Sequence, residues 1–572
     1  MSEIWVNRGE LNRKAVLELS ARYRITPEFA ALLLKRSLTY EEIIQPTRTV
    51  SDSRLFKDME KGIDIAAETI LTRKRSCVVN DYDVDGATSG VIMKEALSVC
   101  GADTFILTPR RNVDGYGMSV RIVDEAYRWG AELIITTDNG IAAYEAVEHA
   151  KSLNMRVVIT DHHEVPFDEN GEIIPPADAV IDAKQKNCRY PFKEICGAEV
   201  ALKFAILLFD KFKIDKDTRN RCLRRFTELA AIGTICDVMP LIKENRALVK
   251  AGLELLKTSQ IVGLRQLMKV QSIDPSLINT YNIGFGIGPC INSMSRLYDD
   301  SDTVLELLEE RDYLKADKLA STLSKANSER KTYQEKAMTK ALDLIGECRD
   351  NIIILYLENC NPALMGLVAG KVKEMTGRPS ICLTDSEDGI LKGSGRSTDN
   401  YDMFGMLSRH RDLYSKFGGH PGAVGLSIAK ENLNSFIKLI NEDAKDLIFD
   451  KKVFVDLYMP MSEVSEKFLN EISLMEPFGE GNEEPLFCDE TARLISFSPI
   501  GKEGQYTSLI IESNNKKVRA VWFKHPDLMK NTLSEVGIPT EGTPLSILYT
   551  PRFNTWNGNT TISYNINSLK VR

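Results

Sequence analysis

Histidine and tryptophan are scarce in this 572-residue chain, at six and four residues, and its eleven cysteines include no Cys-x-x-Cys pair. An odd, scattered set of cysteines excludes a disulfide framework and a zinc ribbon, so reduced, buried thiols are expected. No run approaches the roughly 18 consecutive apolar residues that a membrane helix needs. The start, Met1-Ser2-Glu3-Ile4, lacks a basic-then-apolar leader, so a cytoplasmic location is expected, without a membrane partner. There is no internal repeat, no low-complexity tract and no surplus of basic charge. With a net charge of -8 and a pI near 5.6, any binding of polyanions must come from local basic patches or bound metal.

What is present is an ordinary globular balance, 43% hydrophobic and 27% charged, over a length that predicts two to four domains. Helix-spaced apolar residues occupy Asn12 to Tyr23 and Pro27 to Arg36, with Thr26-Pro27 as cap and first turn. Short β-rich runs follow at Cys77–Val79, Thr104–Leu107, Leu133–Ile135, Val157–Ile159 and Ala179–Ile181, alternating with helical stretches at Thr88–Val99, Ser119–Trp129 and Ala142–Leu153. That rhythm predicts a parallel sheet with helices on its faces. The proline-free, charged stretch from Leu305 to Gly346 predicts one long connecting helix. A second, smaller α/β pattern follows: strand Ile352–Tyr356, helix Gly366–Met375, strand Ser380–Leu383 and glycine-rich turns at Gly393–Arg396 and Gly418-Gly419-His420. After Asp450 alternating strands predict a small barrel or antiparallel sheet, with hairpins at Asn514-Asn515 and Asn557-Gly558.

Four clusters stand where an apolar run stops: Asn80-Asp81-Tyr82-Asp83-Val84-Asp85-Gly86, Asp138-Asn139-Gly140, Asp161-His162-His163-Glu164, and Asp237 after Gly233-Thr234-Ile235-Cys236. In open parallel sheets ligands sit beyond the carboxyl ends of the strands, so the first three should converge, with Asp237 closing the site from the side. Alternating carboxylates at Asp81, Asp83 and Asp85 repel unless cations hold them. Oxygen ligands suit magnesium or manganese, and imidazole moves the preference towards manganese. Two ions roughly 3.5 to 4 Å apart would suit in-line phosphoryl displacement. An isolated Asp-x-Asp-x-Asp-Gly could be a calcium loop or a solvated turn; four clusters at successive element ends are not explained that way.

In these residues the chain resembles the DHH phosphoesterase family, whose four motifs match Asp81 to Gly86, Asp138-Asn139-Gly140, Asp161-His162-His163 and Gly233 to Leu241 in order. Gly393-Ser394-Gly395-Arg396-Ser397 and Gly418-Gly419-His420 resemble the DHH-associated domain. Glu476 to Phe487 is similar to the third part of the family's single-strand-specific 5′ to 3′ DNA exonucleases. The resemblance implies five segments: a helical lead-in at 1–70, a DHH domain at 71–245, a helical connector at 246–346, a DHH-associated domain at 347–449 and an OB-like nucleic-acid-binding domain at 450–572.

It also implies two Mn2+ or Mg2+ ions held by Asp83, Asp85, Asp138, His162 and Asp237, with Asp138 bridging. Asp81 joins the metal set, and His163 joins Asp138 and His162 in catalysis, while Asp161 orients a neighbouring histidine. Arg111, Arg296, Ser394, Arg396 and His420 would take a terminal 5′ phosphate. Trp522, Phe523, Lys524, Phe553 and Trp556 are the candidates for holding single strands. Many relatives have His where this chain has Val79, and Arg and Gly where it has Cys290 and Ser295. The implied activity is metal-dependent release of 5′ mononucleotides from single-stranded DNA in repair or recombination, by a monomer that works with a single-strand-binding protein or a helicase. The alternatives are a phosphodiesterase of dinucleotides or short oligonucleotides, and a nucleic-acid-binding replisome scaffold.

Overall fold

Runs such as Cys77-Val78-Val79 and Leu133-Ile134-Ile135 are apolar on both alternating faces, which suits only strands covered on both sides. They build a parallel five-stranded sheet in the order Asp103–Leu107, Arg75–Asn80, Ala131–Thr137, Arg156–Thr160, Ala179–Ile181. Helices Val120–Arg128 and Tyr144–Ser152 cover one face, burying Ile122, Val123, Ala146 and Val147 against Val79, Ile134, Val157 and Ile159. Met59–Leu71, Val84–Val99, Gly197–Phe212 and Lys216–Cys236 pack together on the other. The chain begins at Arg75–Asn80, steps out to Asp103–Leu107, then returns to the opposite side at Ala131–Thr137. The order reverses between the strands that carry the first two motifs, where ligands of such sheets bind.

The computed structural model describes residues 3–572 except 112, 347, 349, 387–388, 502–503, 525–528, 530–541 and 557–558. The chain divides into two compact units, the first of residues 51–239 and 248–451, the second of residues 3–50, 240–247 and 452–572. Besides the parallel sheet, the first unit holds a five-stranded mixed sheet in the order Tyr414–His420, Ala423–Ala429, Ile390–Arg396, Ser380–Asp385, Ile353–Tyr356. The predicted glycine-rich turns are therefore strands: Gly393 pairs Leu383, and Gly418 pairs Gly425. Glycines that read as breakers here let neighbouring backbones come close. The predicted single connecting helix is two, Asp302–Glu309 and Tyr313–Ile345. The chain turns at Glu310 to Asp312, where Glu310 accepts from the Arg311 and Asp312 N–H groups and Asp312 caps Lys315 at 2.8 Å.

In the second unit a seven-stranded sheet runs in the order Leu457–Tyr458, Phe487–Asp489, Leu545–Trp556, Asn559–Val571, Lys516–Trp522, Tyr506–Ser513, Arg493–Ile500. Asn514 and Asn515, at φ 43° and 60°, make a hairpin turn of the kind the sequence suggests; Asn557-Gly558 and the Trp556 side chain lie outside the described residues. Trp522 is 5% exposed and belongs to the core, whereas Phe523 and Phe553 are 53% and 37% exposed.

The expected 1–70 lead-in is not one piece. Strand Ile4–Asn7 pairs in parallel with Lys452–Val455, and residues 3–50 belong to the second unit, while helix Met59–Leu71 covers the parallel sheet. Pairing across some 450 residues leaves no local trace. Two arginines hold these remote segments together. Arg36 forks onto Asp456 at 2.8 and 2.7 Å. Arg246, 4% exposed, donates to the carbonyls of Glu42, Ile43, Leu474, Met475 and Glu476 at 2.6–3.3 Å. Arg246→Met strands these acceptors, so urea unfolding of the second unit is expected to show a loss of about 3 kcal/mol or more.

Candidate metal centre

The sheet register lines up Asn80, Thr137, Thr160 and Ile181 in one row across four strands. Each is followed by an aspartate, so Asp81, Asp138, Asp161 and Asp182 leave the sheet side by side. Asp182 ends an apolar run as the others do, a signal the motif reading passed over. Asp138 takes φ 63°, unusual for a residue with a side chain, while its N–H donates to Thr160 at 3.1 Å.

His162 Nε2 lies 3.0 Å from Asp138 Oδ1, 3.5 Å from Asp237 Oδ2 and 3.8 Å from Asp85 Oδ2. Three sets of side chains can each surround a cation: Asp85, His162 and Asp237; Asp81, Asp83 and Asp138; Asp138, His162 and His163. Asp138 and His162 are shared between sets. Helix ends aim the ligands. Asp83 caps Val84–Val99 by accepting from the Gly86 N–H at 3.0 Å, and Asp237 ends helix Lys216–Cys236. Asp85 accepts from the Gly197 and Ala198 N–H groups at 2.6 and 2.9 Å, at the positive end of Gly197–Phe212.

That close approach needs two glycines, Gly197 and Gly233, of which only Gly233 lies within a motif: a Cβ on Gly197 would fall 2.6 Å from the Asp138 Cβ, and one on Gly233 would fall 2.5 Å from Asp85 Oδ1. Tyr116 is a further residue the reading lacked. Its hydroxyl lies 3.0 Å from the Asp138 carbonyl and from the His163 ring nitrogens.

Burial, reinforced by neighbouring carboxylates, pushes the acids of Asp81, Asp138 and Asp237 well above their usual range, and lifts Asp85 to about 6. Asp161 differs. Burial would raise it, but the charge and hydrogen bond of His163, 2.8 Å away, and N–H donors from Ile141 and His162 hold it at about 2. In return Asp161 overcomes the burial of His163 and raises that imidazole to about 9. His162 is lowered to about 3 by burial and then by the neighbouring His163 charge, so its ring is neutral and free to ligate. Asp81 Oδ1, Asp237 Oδ2 and His162 Nδ1 are buried without hydrogen-bond partners. A crowded set of carboxylate oxygens and one neutral imidazole, with unfilled lone pairs, fits divalent cations.

A basic group adjoins the acids. The Arg111 guanidinium lies 4.0 Å over the Tyr82 ring. Arg296 donates to the Ala363 carbonyl at 3.2 Å and is lowered to about 10 by burial, then by the Arg111 charge. Arg396 bonds the Gly395 carbonyl at 2.8 Å and shares a strand face with Ser394, while His420 is lowered by burial and then by Arg396. The structure thus brings Arg111, Arg296, Arg396 and His420 within electrostatic reach of one another or of the acids; Trp556 lies outside the described side chains.

A parallel sheet with an aspartate row at its switch point, followed by the mixed sheet, is the architecture of a DHH phosphoesterase: residues 75–234 match the DHH family N-terminal domain and 349–446 the DHHA1 domain. Residues 455–568 match the RecJ OB domain. The chain is 31% identical to the single-stranded-DNA-specific exonuclease RecJ of Bacillus subtilis over 554 residues, 95% of this chain and 68% of that one. It is 33% identical to the RecJ of Salmonella typhimurium, over 77% of this chain and 80% of that one. RecJ of Thermus thermophilus in complex with Mn2+ superposes with a TM-score of 0.83 at 26% identity, over 99% of this chain and 79% of that one; the Mg2+ complex gives 0.77 at 25%, over 99% and 78%. The chain belongs to the RecJ family.

Because the folded acids are raised above their unfolded values, the metal-free fold is favoured at low pH and loses stability as pH rises through the carboxylate range. Ions bind the deprotonated form. The rise in Tm produced by Mn2+ is therefore expected to grow between about pH 5 and about pH 8 in differential scanning calorimetry. Gly197→Ala, which drives a methyl into Asp138, is expected to weaken Mn2+ binding by roughly 10- to 100-fold in isothermal titration, with the far-UV circular dichroism retained.

Proposed function

We propose that this chain is a metal-dependent exonuclease of single-stranded DNA, running 5′ to 3′ and releasing 5′ mononucleotides. The observation that carries the reading is the intact ligand set around His162 and Asp138, in a chain that belongs to the RecJ family and matches its OB domain. Asp81, Asp83, Asp85, Asp138, His162 and Asp237 would hold two Mn2+ or Mg2+ ions, with Asp138 shared between them. When bound, the ions supply an activated water and steady the leaving 3′ oxygen.

The protein's own groups do the rest. Asp161 keeps His163 charged, so that its ring can donate to a phosphate oxygen. Arg111, Arg296, Ser394, Arg396 and His420 bind the terminal 5′ phosphate and so set the direction of attack. Phe523 and Phe553 offer exposed aromatic faces to unpaired bases, which suits single strands over duplex, and Trp556 is the further candidate by sequence. Among the described residues no helix is long and apolar enough to cross a membrane. A monomer in the cytoplasm, serving DNA repair or recombination beside a single-strand-binding protein or a helicase, fits this reading. A scaffold that only held DNA would not require six charged or imidazole ligands to be packed around unfilled lone pairs.

End-labelled single strands test the proposal. With Mn2+, a 5′ label is expected to appear at once as mononucleotide, a 3′ label to stay on shortening fragments, and duplex to be spared; chelator stops all release. Asp138→Ala is expected to lower kcat on the order of 10²- to 10³-fold, and full activity of that variant would rule out the centre.

A further inference from the structure

Cations flank the aspartate row on two sides. Beside the first motif stand Arg111 and Arg296, whose charges act on Asp81, Tyr82 and each other. On the other flank stands Lys184, which neither the metal set nor the arginine group uses. It leaves the sheet two residues after Asp182, and its backbone N–H donates to Asp182 Oδ1 at 2.7 Å. Its Nζ donates to Glu164 Oε1 at 2.8 Å. The Lys184 side chain is 16% exposed and that of Glu164 is 77% exposed, so the ammonium is sheltered and its partner faces solvent. From there the lysine charge acts on His162, Asp182, Asp237 and His420, and the Glu164 charge also acts on His420.

An ion pair whose carboxylate is largely exposed to solvent is weakly held. A phosphodiester oxygen, arriving with several of its own contacts, can take the carboxylate's place on the ammonium. The order of charges suggests which phosphodiester. A strand with its terminal phosphate among the arginines and its first phosphodiester on the acids carries its second phosphodiester to the opposite flank. We propose that Lys184 binds the second phosphodiester, on the 3′ side of the scissile bond, and that Glu164 is its resting partner, displaced as the strand enters. This rests on the exonuclease reading above and adds to it a subsite for the strand that remains.

Steady-state kinetics of the full-length, Mn2+-loaded chain on pTpT, pTpTpT and pTpTpT with a neutral methylphosphonate at the second linkage test it. Lys184→Met is expected to lower kcat/KM on pTpTpT about tenfold more than on pTpT. The methylphosphonate should lower wild-type kcat/KM by a similar factor and leave Lys184→Met nearly unmoved, since the two changes remove one contact. Loss of one phosphate contact should also reduce the slope of log KM against log salt by about 0.7. Glu164→Gln, which frees the ammonium, should raise kcat/KM on pTpTpT, and Lys184→Arg should restore most of what the methionine loses. Equal losses on pTpT and pTpTpT would overturn the proposal, as would full methylphosphonate sensitivity in Lys184→Met or loss of its Mn2+-induced rise in Tm. If the wild-type chain cleaved neither pTpTpT nor longer strands, the exonuclease reading itself would fall, and the subsite with it.

Discussion

Mutual repulsion within a buried row of carboxylates is the constraint on which the rest of this structure depends. Parallel strands in register deliver Asp81, Asp138, Asp161 and Asp182 to one edge, and Asp83, Asp85 and Asp237 arrive from helix ends. Left alone, such a set is costly, because each acid is taken from water and placed beside others of like charge. The fold meets the cost unevenly. Asp85 receives two backbone N–H groups at a helix N-terminus, and Asp161 receives a charged His163. Asp81, Asp138 and Asp237 receive far less, and this residual frustration makes the place a strong site for divalent cations.

The same pressure assigns different states to two adjacent imidazoles. His163 faces Asp161 and is held charged to about pH 9, while His162, deeper and beside that charge, stays neutral. One can donate to an anion and the other can ligate a cation, although they are neighbours in sequence. A single residue of offset along the backbone, with a different partner for each ring, produces that division of labour. The tight packing of Gly197 and Gly233 against Asp138 and Asp85 keeps the carboxylates from spreading to relieve their repulsion.

The second unit is held by a different device, buried guanidinium groups that collect backbone carbonyls and one carboxylate. Arg246 gathers two segments far apart in the chain, and Arg36 binds Asp456 across some 420 residues. Because a guanidinium presents five donors in one plane, it can satisfy loop ends that no helix or strand would pair. The price of this arrangement is that much of the unit's order hangs on few side chains.

Much of the first unit was legible because its signals are local. Apolar runs ending in Asp or His, repeated at parallel-sheet spacing, already imply the sheet, its helices and the convergence of the motifs. Glycine misled where it pairs in strands, at Gly393 and Gly418, since a breaker and a close-packed strand residue look alike without their neighbours. The stretch reads as one helix because a turn at Glu310 to Asp312 needs neither glycine nor proline when Glu310 accepts the turn's N–H groups and Asp312 caps the helix that follows. By itself, then, the sequence determined the element rhythm, the family and the chemistry of the ligands, all of which follow from residue types at short spacing. Only the tertiary structure decided that residues 3–50 join the second unit, that Asp182, Tyr116 and Lys184 face the centre, and which histidine carries charge. Those outcomes depend on burial and on fields from residues remote in the chain, and no local pattern records either.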